Sequence, residues 1–176
     1  MERKLKIGGK AAVPGWEIFD ALPAPYVDHL GDAKDMSRFQ DGTFVAVYAS
    51  HVLEHFDYKD AVAVVLKEWL RVLQPGGKLY VSVPDLDTLA RLLLMKEKFS
   101  VPDRYLMMRM IFGGHMDAYD YHYVGFNAEF LGSFLLEAGY TNLRRVKDLG
   151  FFNDSSRMVM GDTLISLNMI AEKPAP

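Results

Sequence analysis

Between Phe44 and Val83 the sequence reads FVAVYASHVLEHFDYKDAVAVVLKEWLRVLQPGGKLYVSV, and no other stretch restricts the fold as strongly. FVAVY is a nearly unbroken run of β-formers, the pattern of a strand covered on both faces in a parallel sheet. Val62, Val65, Leu66, Trp69, Leu70 and Leu73 then recur at the spacing of a single apolar stripe, which predicts an amphipathic helix. Gln74-Pro75-Gly76-Gly77 ends it, because proline cannot continue a helix and glycine accepts the left-handed conformation beyond its end. KLYVSV, Lys78–Val83, is a second strand, stopped at Pro84. A strand, a helix and a strand of these lengths form a βαβ unit with a right-handed crossover.

Shorter signals extend the pattern on both sides. Lys4–Ile7, Trp16–Phe19 and Tyr26–Leu30 read as strands, each closed by glycine, aspartate or proline. Asp87–Lys98 and Asp103–Met110 read as helices. The aromatic stretch 112–127 has no periodicity and reads as an ordered loop. Asn127 is the expected N-cap of a helix Ala128–Ala138, with Gly139 beyond its end. Asn142–Lys147 and Thr163–Ala171 close the chain as β-runs, separated by FFNDSSRMVMGD. The expectation is an α/β fold in one domain, 1–176, with about seven mostly parallel strands and a closing antiparallel hairpin.

Composition excludes several function classes. A net charge of -3 with no basic block gives no footprint for nucleic acid, and the absence of cysteine removes disulfides, thiolate metal sites and a cysteine nucleophile. No apolar run approaches the roughly 20 residues of a membrane helix, and the N-terminus lacks the apolar core of a signal peptide. A soluble cytoplasmic chain, with no membrane partner, is expected.

Ligands of an open α/β sheet bind at the carboxyl ends of its strands, so the strand tips are the places to look for chemistry. They carry Gly8-Gly9, Asp20, Asp32-Ala33 and Ser50-His51. Absent side chains let a ligand approach the first, a carboxylate at the second can accept from a ribose diol, and the third can meet an adenine amino group. The fourth opens HVLEH, in which His51, Glu54 and His55 spell H-x-x-E-H, an inverted zinc-protease pattern. Zinc would need His51 and His55 on one helical face and a third ligand such as His115 or His122. With His51 at a strand tip the required i, i+4 geometry is lost, and no metal ligand is assigned.

Two longer phrases carry a family resemblance. DGTFVAVYASHVLEH and EWLRVLQPGGKLYVSVP resemble the strand-four and strand-five phrases of class I S-adenosylmethionine-dependent methyltransferases of the small "methyltransferase type 11" kind. DYHYVGFNAEFLGSFLLEAGYTNLRRV resembles the tail of the same enzymes. The resemblance implies a Rossmann-like three-layer sandwich and S-adenosylmethionine as cofactor. It assigns Ile7, Gly8 and Gly9 to the loop under the methionine part, Asp20 to the ribose, Asp32 and Ala33 to the adenine, and Ser50 and His51 to the border of the sulfonium and the acceptor. Glu54 and His55 fall on the turn that opens the next helix.

The chain also departs from the family. Lys6 stands where an acid is usual, Lys10 replaces the third glycine of the first loop, and AAVPG leaves no room for a helix between strands one and two. The first βα unit is therefore shortened, and a helix N-terminus with its favourable dipole is missing beside the cofactor carboxylate. The implied reaction is direct displacement, in which the protein holds acceptor and methyl group in line. His51 and His122 are the candidate general bases, with Asp120 and Tyr121 behind them on an aromatic lid, 112–127. The implied partner is a small-molecule, sugar or lipid acceptor, and a homodimer is a further expectation. Two other readings stand beside this one: a methyltransferase-like scaffold that only binds a partner, and a zinc hydrolase built on HVLEH.

Overall fold

A computed structural model of the chain describes residues 2–175. Its strands are β1 (Lys4–Ile7), β2 (Glu17–Asp20), β3 (His29–Leu30), β4 (Phe44–Ser50), β5 (Leu73–Pro84), β6 (Thr141–Val146), β7 (Val159–Met160), β8 (Thr163–Leu164) and β9 (Ser166–Glu172). The helices are α1 (Ala61–Val72), α2 (Leu86–Leu93), α3 (Val101–Phe112) and α4 (Ala128–Ala138). Seven strands make one sheet in the order β3-β2-β1-β4-β5-β9-β6, and β7 and β8 form a separate small hairpin. The pairs from β3 to β5 are parallel, whereas β9 runs antiparallel to both β5 and β6. Strand order reverses between β1 and β4, which places the topological switch point at their carboxyl ends.

The β4–α1–β5 unit forms as the sequence indicates. Val62, Val65, Leu66 and Trp69 lie fully buried along α1, and the helix leads directly into β5 through Leu73–Gly77. Other boundaries move. Tyr26–Leu30 shrinks to the two residues of β3, because Asp28 turns its carboxylate back to accept from the Ile18 N–H at 2.8 Å. The helix read as Asp87–Lys98 stops at Leu93. The run Thr163–Ala171 breaks at Ile165, whose N–H donates to the Met158 carbonyl, so its first part pairs with Val159–Met160 as a hairpin. Asn127 caps α4, its side-chain oxygen accepting from the Phe130 N–H at 2.8 Å.

Side chains alternate across the sheet as the period of a strand requires. Leu5, Ile7, Val47, Ala49, Leu79, Val81, Val83, Leu167, Met169 and Ala171 point to one face and pack with α1 and α4 in the main core. The other face carries Lys4, Lys6, Tyr48, Ser50, Tyr80, Ser82 and Asn168. Segment 147–165 covers part of it as a strap. Phe151 and Phe152 meet Trp16 at 5.3 and 5.2 Å between ring centroids, and Phe152 meets Tyr48 at 4.5 Å. Asp154 anchors the strap, bridging Lys6 Nζ at 3.3 Å and accepting from the Tyr48 hydroxyl at 3.0 Å. Met160 and Ile165 from the same region join Leu89, Leu92, Phe99 and Met107 of the α2–α3 segment in a second apolar cluster.

No helix joins β1 to β2, β2 to β3, or β3 to β4. Residues 8–16 form a loop closed by the Trp16 N–H donating to the Val13 carbonyl. The first βα unit is shortened to this loop. No helix among the described residues is long and apolar enough to cross a membrane.

Candidate functional site

The carboxyl ends of β1, β2 and β3 open into one cleft of about 380 Å³, within the usual size range of small-molecule sites. Ile7 and Gly8 form its floor at the tip of β1, and Asp20, Ala21 and Leu22 follow β2. Gly31, Asp32, Ala33 and Lys34 follow β3. Val52, His55 and Phe56 come from the 3-10 turn after β4, and Ala118, Tyr119 and Tyr123 from the loop after α3.

Local chemistry explains each wall. Gly8 has φ +71°, and a Cβ there would lie 2.9 Å from Val52 Cγ2, so glycine both permits the turn and leaves the floor open. Asp20 Oδ1 accepts from the Leu22 N–H at 2.9 Å, which fixes the carboxyl group and leaves Oδ2 as a second acceptor. Asp32 is braced similarly, by the Lys34 N–H at 2.9 Å and the Lys34 ammonium at 3.2 Å. Ala33 is pinned from behind: its carbonyl accepts from Trp69 Nε1 at 3.2 Å, linking the cleft wall to the buried indole of α1. The fourth wall is tied to the loop by two bonds. The Tyr123 N–H donates to the Glu54 carbonyl at 2.9 Å, and His55 Nδ1 lies 3.0 Å from the Tyr121 carbonyl.

Of the residues assigned from sequence, Ile7, Gly8, Asp20, Asp32 and Ala33 line this cleft together. Gly9, Ser50, His51 and His122 do not. A Cβ on Gly9 would point at Lys6 and Ile18. Ser50 faces the strap, 3.4 Å from Asp154 Oδ1. His51 adopts φ +55° and turns inward, with Nε2 3.1 Å from Ser166 Oγ and Nδ1 3.6 Å from Glu54 Oε1. Burial holds its pKa down at about 4. His122 directs Nδ1 to the Met110 carbonyl at 3.0 Å, and burial also lowers its pKa to about 4. Neither lysine of the altered first loop reaches the cleft: Lys6 faces Asp154 and the Phe152 ring, and Lys10 is exposed.

The imidazole that does face the cleft is His55, which the family resemblance puts on the turn that opens a helix. Helix α1 starts only at Ala61, after Asp60, so residues 51–59 are free of the helical period. The Asp57 to Asp60 cluster is the signal that could have shown it. Tyr119 and Tyr123 of the aromatic lid also border the cleft. The structure brings one further set together: Glu54, His55 and His122 offer ligand-type atoms that all lie within 4.8 Å of one another.

Comparison with known proteins agrees with this geometry. Residues 20–81 match the family described as a methyltransferase domain. No curated protein matches the sequence. Among solved structures, a possible exported protein of Bordetella parapertussis superposes with a TM-score of 0.60 at 16% identity, covering 99% of this chain and 63% of that one. The CurJ carbon methyltransferase gives 0.58 at 16% identity, over 99% and 49% of the two chains. An S-adenosylmethionine-dependent methyltransferase of Methanosarcina mazei gives 0.60 at 17% identity, over 99% and 93%. The chain thus spans roughly half to two thirds of the first two and nearly all of the third. Residues 20–81 thus resemble a methyltransferase domain in sequence, and along its length the chain shares its fold with solved S-adenosylmethionine-dependent methyltransferases.

Proposed function

We propose that the chain binds S-adenosylmethionine in the cleft over β1, β2 and β3 and transfers its methyl group to a small-molecule, sugar or lipid acceptor. The observation that supports this reading is convergence. A left-handed glycine, a braced carboxylate and a second carboxylate beside a buried alanine stand on three adjacent parallel strand tips and share one cavity. Asp20 has an acceptor left over for a ribose hydroxyl pair, and Gly8 provides the close approach that a ligand backbone needs. Asp32 and Ala33 lie where an adenine edge would rest, against a wall stiffened by Trp69.

The bound cofactor supplies an electrophilic methyl group on a sulfonium. The chain's own part is to bind, orient and exclude water. Phe19, Val52 and Phe56 present apolar surface, and Tyr119 and Tyr123 border the opening toward solvent. No charge needs to be created on the protein for such a displacement, so positioning carries most of the rate.

Isothermal titration with S-adenosylmethionine and with its demethylated product tests the reading. Two charge-assisted bonds to a ribose diol contribute about 2–4 kcal/mol together, so Asp20→Ala should weaken binding roughly 30- to 700-fold. A wild-type chain that binds neither compound at high protein concentration would refute it. That outcome would favour the second reading, a methyltransferase-like binding module, for which the missing helix after β1 is the specific observation.

A further inference from the structure

Glu54 is the most unusual side chain in the molecule. It is 1% exposed, and neither carboxyl oxygen has a hydrogen-bond partner among the described residues. Leaving a carboxyl group in that state costs several kcal/mol relative to water. Its surroundings are not apolar. One ring nitrogen of His55, one of His122 and a Glu54 oxygen all fall within 4.8 Å of each other, and His51 Nδ1 stands 3.6 Å from Glu54 Oε1.

The hydrogen bonds around the two ligand-type histidines fix their tautomers. His55 Nδ1 lies 3.0 Å from the Tyr121 carbonyl, and His122 Nδ1 lies 3.0 Å from the Met110 carbonyl. A carbonyl can only accept, so both Nδ1 atoms carry hydrogen and both Nε2 atoms keep a lone pair. An outer partner that holds one ring nitrogen and frees the other is the arrangement found around metal-bound histidines. The rings meet edge to face, 4.8 Å between centroids, with Glu54 beside them.

We infer that Glu54, His55 and His122 form a binding site for a divalent transition ion such as zinc or cobalt. Two imidazole nitrogens and one carboxylate oxygen suit such ions, and three protein ligands leave a coordination position open. Ligand atoms about 2.1 Å from a tetrahedral ion lie about 3.4 Å apart, so the widest pair must close by at most about 1.4 Å. His122 sits on the loop after α3 rather than on a sheet strand, so the adjustment falls on a segment outside the core ladder. The ion would give Glu54 the partner it lacks. Because His55 also lines the cleft, the open position lies next to it, and an acceptor oxygen is the chemistry it would hold. That last role rests on the methyltransferase reading; ion binding does not.

The test uses the full chain without a histidine tag, stripped of metal and dialysed against zinc ions, with bound metal counted by mass spectrometry. Cobalt ions are added separately and followed by visible absorption. One ion per chain is expected, with binding weakened more than about 100-fold in Glu54→Gln and in His122→Asn and unchanged in His115→Asn on the same loop. Circular dichroism checks that the variants fold. Should Glu54→Gln fail to fold, His122→Asn decides the matter. A stripped wild type that takes up no stoichiometric ion, or variants that bind as the wild type does, would overturn the proposal. Cofactor titration is a separate readout, so loss of one conclusion leaves the other standing.

Discussion

Asp154 tethers the strap to the sheet, and replacing it with alanine should be among the most damaging single changes outside the main core. Lys6 is only 9% exposed in its side chain and Asp154 22%, so the pair is largely withdrawn from water. Breaking a buried pair by removing one partner typically costs about 3–5 kcal/mol, because the other charge is left uncompensated. Partial exposure of Asp154 and the Phe152 ring 4.0 Å from Lys6 Nζ both soften that penalty, which points to the lower end, about 3 kcal/mol. Loss of the cap to the Ser156 N–H, 3.0 Å away, adds about 1 kcal/mol. Asp154→Ala should therefore cost about 4 kcal/mol. In a Lys6→Met background the buried ammonium is gone, and the same change should cost about 1–2 kcal/mol, leaving a coupling of about 2–3 kcal/mol between the sites. Urea unfolding of the four species, followed by circular dichroism, measures it. Tryptophan fluorescence adds a local readout, because Trp16 packs on Phe151 and Phe152 while Trp69 is buried in α1. A coupling below about 0.5 kcal/mol would show that the charges act independently and would refute the argument from uncompensated burial.

Gly8→Ala should cost about 1–2 kcal/mol for a left-handed backbone and abolish nucleoside binding, since the new Cβ would stand 2.9 Å from Val52 Cγ2; thermal melts and cofactor titration read the two effects. A fold that survives with unchanged cofactor affinity would contradict the assigned floor. Hydrogen bonding to Arg3, aided by His29, lowers the Glu17 pKa from its ordinary 4.5 to about 2 against the cost of burial. A depressed carboxyl pKa stabilises the fold above the unfolded value and is lost as pH falls, so Glu17 should contribute about 2 kcal/mol near neutrality after allowance for solvent screening. That contribution should fade between about pH 4.5 and 2 in the wild type and be absent in Glu17→Gln, as denaturant titrations across that range would show.

The parts of the fold set by long periodic patterns could be read from the chain. FVAVY, the apolar stripe of α1 and the KLYVSV strand need only local preference and a covered sheet. So do the three strand tips on which Ile7, Gly8, Asp20, Asp32 and Ala33 converge. What escaped depends on where side chains turn after a strand ends. The strand-tip position of His51 points to the cleft, but its left-handed backbone, φ +55°, swings the ring inward to Ser166, 115 residues later in sequence. The L-E-H phrase makes His55 a helix opener, yet the helix begins six residues further on. The meeting of Glu54 and His55 with His122 depends on the path of an aperiodic loop, which no spacing rule reports. The β7–β8 hairpin was hidden for a similar reason: two strands of two residues each are held by the Ile165 to Met158 bond rather than by strand propensity.

The position of β9 has a consequence for how the chain comes together during synthesis. This strand is the last of the sheet in sequence but lies between β5 and β6, bonded to both. Until it has left the ribosome, β5 presents an open backbone edge from Lys78 to Pro84. Unpaired edges of that kind are where nascent chains recruit strands from one another. Completion of the sheet must therefore wait for β9. Conditions that slow the docking of Leu167, Met169 and Ala171 should raise aggregation of new chains while leaving already folded protein untouched.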